Sequence, residues 1–357
     1  MNKLKTLIIV TPGFPANEDD STCLPPQQVF VRALQEADSS LKVIVLTIEY
    51  PFFSSSYKWN GVKVISFGGK NKTKLFRLVA LFKIWLTLSK LKKKNNIIGL
   101  LSFWLDKSAL IADRFAKRND LPHFCWLLGQ DAKIGNKYVK LMKPKAESLI
   151  ALSDFIAREF EQNYNIIPKN IISVGIDAKL FAPNEFERSI DVLGVGSLIS
   201  LKQYHLFLAV IEELRFIYPK IKVLICGDGP EMNSLHQLII KSDLVAQVSL
   251  MGSLPHNEIL MLMQKSKLFL HTANYEGFGA VNLEALYAGA KVISFVKPMH
   301  VGIENWYHVN DLQEMITLSK EILADPFPVY KKVMPFTISN IAKRMLALYD
   351  HTIDPIS

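Results

Sequence analysis

The sequence predicts an α/β protein made of two doubly wound domains, each built on a parallel sheet. Short apolar runs recur along the chain, separated by stretches of helical periodicity, as repeated βαβ units require. The alternation breaks once, in a turn-rich stretch from Ser173 to Asn184, and then restarts. A length of 357 residues is also too much for one ordinary core and suits two.

The first strand is expected over Thr6–Val10, turning into the loop Thr11-Pro12-Gly13-Phe14-Pro15. Further strands are read at Val43–Thr47, Val62–Ile65, Ile98–Ser102, Phe124–Leu127 and Ser148–Leu152. Between them lie helices over Gln27–Glu36, a basic segment near Lys72–Lys94, Ser108–Lys117, and Asp154–Asn163, whose start Ser153 marks. After the linker come strand Asp191–Val195, helix Tyr204–Arg215, strand Val223–Cys226, helix Glu231–Lys241, and strands Gln247–Met251, Leu268–His271 and Lys291–Phe295. Phe336–Tyr349 reads as a terminal helix. The domain division is 1–175, 176–335 and a tail 336–357 expected to pack back on the first domain. Two such units are expected to face each other across a cleft, a common location for small-molecule sites.

Hydrophobic content of 49% with 21% charged residues describes a globular chain. Three cysteines without metal-like spacing, and no signal peptide at the start, suggest a reducing cytoplasmic setting. The net charge of +9 comes without a nucleic-acid-binding signature, so no nucleic-acid partner is expected. Much of the excess lies in Lys72–Lys94, where an ideal helix gathers Lys72, Lys83, Lys90 and Lys94 on one side, with many Leu, Ile and Phe opposite. Such a helix either rests on an anionic membrane surface, peripheral to the inner face, or is a domain helix with solvated lysines. Its apolar run, interrupted by Lys83, is too short to span a bilayer.

The richest run is Asn274-Tyr275-Glu276-Gly277-Phe278-Gly279-Ala280-Val281-Asn282-Leu283-Glu284-Ala285. It lies between two short apolar strands, so its carboxylates belong to a strand–loop–helix unit at the ligand-binding end of a parallel sheet. Gly277 and Gly279 let the backbone approach a ligand, and amides opening the next helix suit an anion such as a diphosphate. A carboxylate one or two turns into that helix can accept both hydrogen bonds of a vicinal diol such as ribose. The plainer reading makes Glu276 a helix cap and Glu284 a surface charge. Elsewhere, Gly194-Val195-Gly196-Ser197-Leu198-Ile199 has Ile199 at the third glycine position of a dinucleotide fingerprint, which excludes a nicotinamide site there. No Walker A sequence occurs.

At these residues the chain resembles the retaining glycosyltransferases of family four, of glycosyltransferase group 1 type, which have the GT-B architecture of two Rossmann-like domains. The hallmark is a glutamate, seven residues and a second glutamate in an E-G-F-G…E-A context. Pro12–Pro15, Leu152-Ser153-Asp154, Gly175-Ile176-Asp177…Phe181, Val195–Leu198…Lys202 and Gly227-Asp228-Gly229-Pro230 follow in the same order. The likeness is specific from about residue 148 to 296 and weaker at the N-terminus.

The resemblance implies a metal-independent hexosyltransferase that uses a UDP- or GDP-sugar as substrate and needs no cofactor. Glu276 and Lys202 are the catalytic candidates, with Lys202 neutralising charge on the departing diphosphate. Ser197, Gly277, Phe278, Gly279, Ala280, Val281 and Glu284 bind the donor, the backbone around Phe278–Val281 taking phosphate and Glu284 the ribose. Gly13, Gln130 and Asp131 contact the acceptor or sugar. The acceptor is expected to be a glycan or lipid-linked molecule in cell-surface polysaccharide synthesis. No Asp-x-Asp motif is present for a metal.

The chain departs from the pattern at Ser197, where an arginine is usual, at Leu128, where a histidine is common, and at Val174, where an asparagine is frequent. His123 lies near Leu128 but out of register and is read as structural. A nucleotide-sugar epimerase-like enzyme on the same fold, or a catalytically silent nucleotide- or membrane-binding partner subunit, are the rival readings.

Overall fold

The computed structural model of the protein describes residues 4–69, 74–183 and 186–350. The chain forms two compact units, Met1–Gly175 with Ile338–Ser357, and Ile176–Thr337.

In the first unit the chain runs β1 (Lys5–Gly13), α1 (Pro25–Ala37), β2 (Leu41–Tyr50), β3 (Ser54–Trp59), β4 (Val62–Phe67), α2 (Lys74–Lys94) and β5 (Asn96–Phe103). It continues through α3 (Lys107–Asn119), β6 (His123–Leu127), α4 (Lys137–Met142), β7 (Leu149–Ala151), α5 (Asp154–Tyr164) and β8 (Asn170–Ile171). The sheet order is β3-β4-β2-β1-β5-β6-β7-β8, and every pairing is parallel except β3 with β4. The parallel strands are near-continuous apolar runs, because helices cover both faces: Leu7, Ile8, Ile9 and Val10 are all fully buried. As expected, Ser153 caps α5, its hydroxyl accepting from the Ile156 amide at 3.1 Å.

The antiparallel pair was not anticipated. Asn60 and Gly61 both have positive φ (44° and 80°), the geometry of a type I′ hairpin turn between Trp59 and Val62. Trp59 anchors the hairpin edge-on against Phe14, with ring centroids 4.9 Å apart.

The α2 helix also departs from expectation. Ala80, Ile84, Leu88 and Leu91 point inward, while Val79, Phe82 and Leu86 are exposed alongside Lys83, Lys90 and Lys93. Apolar and basic residues therefore share the outer face rather than opposing each other, because the sheet takes only a narrow stripe of the helix. Lys72 lies outside the described residues. No helix among the described residues is long and apolar enough to cross a membrane.

The second unit contains β9 (Ile190–Val195), α6 (Tyr204–Arg215), β10 (Val223–Cys226), α7 (Met232–Lys241), β11 (Val248–Gly252), α8 (His256–Gln264), β12 (Ser266–His271), α9 (Ala280–Tyr287), β13 (Lys291–Ser294), β14 (Trp306–His308) and α10 (Leu312–Ala324). Its sheet is wholly parallel, in the order β11-β10-β9-β12-β13-β14. This is the strand order of a Rossmann domain, with the direction of winding reversing between β9 and β12. Open parallel sheets of this kind bind ligands outside the carboxyl ends of the two strands at the reversal.

The last helix, α11 (Ile338–Asp350), belongs to the first unit and packs on α1. Tyr349 is fully buried there and donates to the Leu100 carbonyl at 2.8 Å.

Candidate active site

Lys202 and Glu276 come from the two strands that flank the switch point of the second sheet. After β9 the chain turns through Gly196–Ile199 into a short 3-10 turn, Ser200–Lys202. This loop is laced to the one after β10: Leu198 donates to the Asp228 carbonyl at 3.0 Å, and Glu231 donates to the Leu198 carbonyl at 3.0 Å. The approach is so close that a Cβ on Gly227 would lie 1.8 Å from the Gly196 carbonyl oxygen. Gly227 also has φ of 149°, so only glycine serves there.

The turn bearing Lys202 is fastened to the end of β12. Thr272 Oγ1 donates to the Lys202 carbonyl at 2.8 Å, and the Asn274 amide donates to the Leu201 carbonyl at 3.3 Å. With the backbones fixed, Lys202 Nζ and Glu276 Oε2 form a hydrogen-bonded ion pair, although 74 positions separate them in sequence. Their side chains are 17% and 23% exposed, so the pair is sheltered but reachable.

His271, the last residue of β12, completes the group. Its Nε2 lies 3.3 Å from Lys202 Nζ and 3.6 Å from Glu276 Oε2, and its side chain is 3% exposed. Burial lowers the affinity of His271 for a proton and keeps the ring neutral. For Glu276, burial alone would raise the pKa, but the contact with His271 and the charge of Lys202 outweigh it. The carboxyl is held well below its ordinary range and is ionised at neutral pH.

Gly279 opens α9 in the left-handed region, at φ 80°, and a Cβ there would lie 2.6 Å from Asn282 Nδ2. The first amides of the helix, at Ala280 and Val281, have no acceptor within the helix and present partial positive charge. Phe278 is fully buried, packed edge-on against Trp306 and Phe336 with centroids 5.9 and 5.8 Å away. Its side chain anchors the loop, leaving only its backbone for a ligand. Ser197 is exposed. Glu284, in the second turn of α9, pairs with His256 Nε2 at 2.8 Å, with side chains 15% and 16% exposed. It is therefore not a free surface charge.

In the first unit, Gly13 ends β1 at the carboxyl edge of that sheet. Gln130 is exposed, but Asp131 is buried. The Asp131 carboxylate accepts from the amides of Leu105 at 2.9 Å, Gly129 at 2.8 Å and Leu128 at 3.2 Å. These bonds commit it to holding the loop, and the expected acceptor contact is corrected to a structural role on that ground. His123 is structural as expected: it is buried, and its Nε2 lies 2.9 Å from Ser102 Oγ. Asp106, beside this edge, caps α3, and burial pushes its carboxyl up to about 6.

His256 and His271 were missed as site residues. His271 carried a usable signal, a polar residue at the carboxyl end of an apolar parallel strand. His256 carried none, since its partner is 28 positions away.

Residues 176–307 match the family model described as Glycosyl transferases group 1. The gpi3 subunit of phosphatidylinositol N-acetylglucosaminyltransferase from Schizosaccharomyces pombe is 29% identical over 166 residues, 45% of this chain and 36% of that protein. A Homo sapiens subunit of the same enzyme is 28% identical over 196 residues, 51% of this chain and 40% of that protein. The match spans well under two thirds of either relative.

Among solved structures, sucrose-phosphate synthase from Thermosynechococcus elongatus has a TM-score of 0.74 at 16% identity, covering 97% of this chain and 98% of that one. Anabaena HepE in complex with UDP and glucose has a TM-score of 0.72 at 16% identity, covering 97% and 99%. At this identity the likeness speaks to fold. Residues 176–307 therefore carry a match to the glycosyl transferases group 1 family, on a chain whose fold is that of the GT-B structures.

Proposed function

We propose that the protein is a retaining glycosyltransferase that moves a sugar from a UDP- or GDP-sugar to a hydroxyl of a glycan or lipid-linked acceptor, without a metal ion or other cofactor. The observation that carries this reading is the Lys202–Glu276 pair at the switch point of the second sheet, with Glu284 in the second turn of the adjoining helix. The amides of Ala280 and Val281 take the diphosphate, and Glu284 takes the ribose hydroxyls. Lys202 moves from Glu276 to the leaving phosphate and stabilises the charge that develops there.

The UDP and glucose bound by HepE and the phosphatidylinositol acceptor named for the curated relatives support the donor and acceptor classes. Gly13 and Gln130 are the acceptor-side candidates that remain. The outer face of α2, with Phe82 and Leu86 among Lys83, Lys90 and Lys93, supports contact with an anionic membrane carrying a lipid-linked acceptor.

The exposed Ser197, in place of an arginine, favours one rival, a partner subunit that binds nucleotide without turnover. Thermal protection by UDP or GDP together with donor consumption separates the readings. Protection and acceptor-dependent turnover support the transferase. Protection without turnover supports the silent subunit, and turnover without acceptor the epimerase.

A further inference from the structure

One ring nitrogen of His271 faces two partners and can serve only one of them at a time. Lys202 Nζ, at 3.3 Å, is an ammonium with no lone pair, so at this contact Nε2 must accept. The ring proton then lies on Nδ1, which is buried and has no hydrogen-bond partner among the described residues. Glu276 Oε2, at 3.6 Å from the same Nε2, is an acceptor and can use it only if it carries the proton. The arrangement with Lys202 therefore leaves one buried N–H unsatisfied, and such groups are rare because the lost hydration is not replaced.

A second orphan lies at the other end of the same loop, in the helix that follows it. Asn282, fully buried in the first turn of α9, has no partner among the described residues for either its Nδ2 or its Oδ1. Glu276, Gly279 and Asn282 crowd together there, since a Cβ on Gly279 would lie 2.6 Å from Asn282 Nδ2 and 3.3 Å from Glu276 Cγ. The loop that carries Glu276 is thus bordered at both ends by polar groups with unspent hydrogen-bonding capacity.

We infer that His271 is a positioning residue that takes over Glu276 when a diphosphate draws Lys202 away. As Lys202 Nζ leaves, Nε2 is freed, picks up a proton from water and donates it to Glu276 Oε2, while Nδ1 gives its proton back to water. The ring stays neutral throughout, and no net proton is gained or lost. The exchange converts an unsatisfied N–H into a hydrogen bond to a carboxylate. It also keeps Glu276 anchored at the moment its ion-pair partner is used elsewhere. His271 itself touches neither donor nor acceptor in this scheme, which rests on the donor-site reading above.

The test uses the full chain labelled with 15N-histidine, with the His271 ring signals assigned by comparison with H271Q and recorded before and after saturation with UDP or GDP. The expected result is a shift of the protonated nitrogen from Nδ1 to Nε2 on binding. A ring that keeps its proton on Nδ1 while nucleotide is bound overturns the inference and leaves the donor site standing. Failure of both nucleotides to bind overturns the donor-site reading and this inference with it. In parallel, H271L is expected to lower kcat by about ten- to hundredfold with donor KM nearly unchanged. H271Q, whose amide can donate from the Nε2 position, is expected to recover most of that loss. Equal kcat in H271L and the wild type also overturns the inference.

Discussion

The imidazole of His256 meets the carboxylate of Glu284 at 2.8 Å, tying the first residue of α8 to the second turn of α9. The contact orients a glutamate that the fold would otherwise leave free to rotate on a helix surface. Glu284→Ala is expected to weaken UDP or GDP binding by about ten- to hundredfold, the worth of hydrogen bonds to a charged group. His256→Ala is expected to weaken it less, because it removes orientation and not contact. Titration calorimetry gives both values, and a Glu284→Ala affinity equal to wild type would remove the ribose role.

Glu276→Ala is expected to abolish sugar transfer, and Lys202→Ala to lower it by about a hundredfold or more, as for loss of a group that stabilises developing charge. Both variants keep native circular dichroism, since the pair lies at loop ends outside the two cores. Excess EDTA leaves the wild-type rate unchanged. Wild-type rates in both variants would take the chemistry away from this pair.

Glu276 also confers a pH dependence on stability. Its folded pKa is depressed below the unfolded value, so its contribution is full above the ordinary glutamate range and is lost as pH falls through the folded value. The melting-temperature gap between wild type and Glu276→Gln is expected to be constant near neutrality and to shrink below about pH 4.5. A gap independent of pH down to about 3 would contradict the assigned ion pair.

For the outer face of α2, reversing Lys83, Lys90 and Lys93 to Glu is expected to reduce binding to phosphatidylserine-containing vesicles by on the order of a hundredfold or more. Phe82→Ala should weaken binding to the same vesicles through lost apolar insertion, an effect that persists at high salt. Vesicle sedimentation measures both, and unchanged partitioning of the charge-reversed chain would make α2 an ordinary surface helix.

Gly227→Ala is expected to destabilise the second unit by several kcal/mol, because the methyl would collide with the Gly196 carbonyl. Gly61→Ala, at positive φ but in open space, should cost only about 1–2 kcal/mol. Denaturant titration of the two variants makes the comparison, and equal costs would refute the close packing of the β9 and β10 loops.

The parallel strands were legible because strands buried on both faces must be continuous apolar runs, as in Leu7–Val10 and Val223–Cys226. Strand β3 was not, since Ser54-Ser55-Ser56 is exposed and polar, although Asn60-Gly61 is a strong hairpin signal. Helix α10 also escaped notice, although Asp311 and Glu314 have the spacing of a capping box and the Glu314 amide donates to Asp311 Oδ1 at 2.9 Å. In the site, Glu276, Glu284 and Lys202 could be named from local spacing and resemblance. His256 could not, because its role depends on which chain segments the sheet brings side by side, whereas His271 had only the weaker signal of a polar residue ending an apolar strand. Asp131 shows the converse: a polar residue in a suggestive position whose carboxylate the backbone had already claimed.

Sugar transfer through the Lys202–Glu276 site is tested most directly by incubating the purified chain with a panel of UDP- and GDP-sugars and mixed glycan and lipid acceptors, with products read by mass spectrometry and NMR. One donor is expected to be consumed, an acceptor to gain one sugar with the donor's anomeric configuration, and Glu276→Ala to yield no product. Consumption of no donor, or product formed equally by Glu276→Ala, would contradict it.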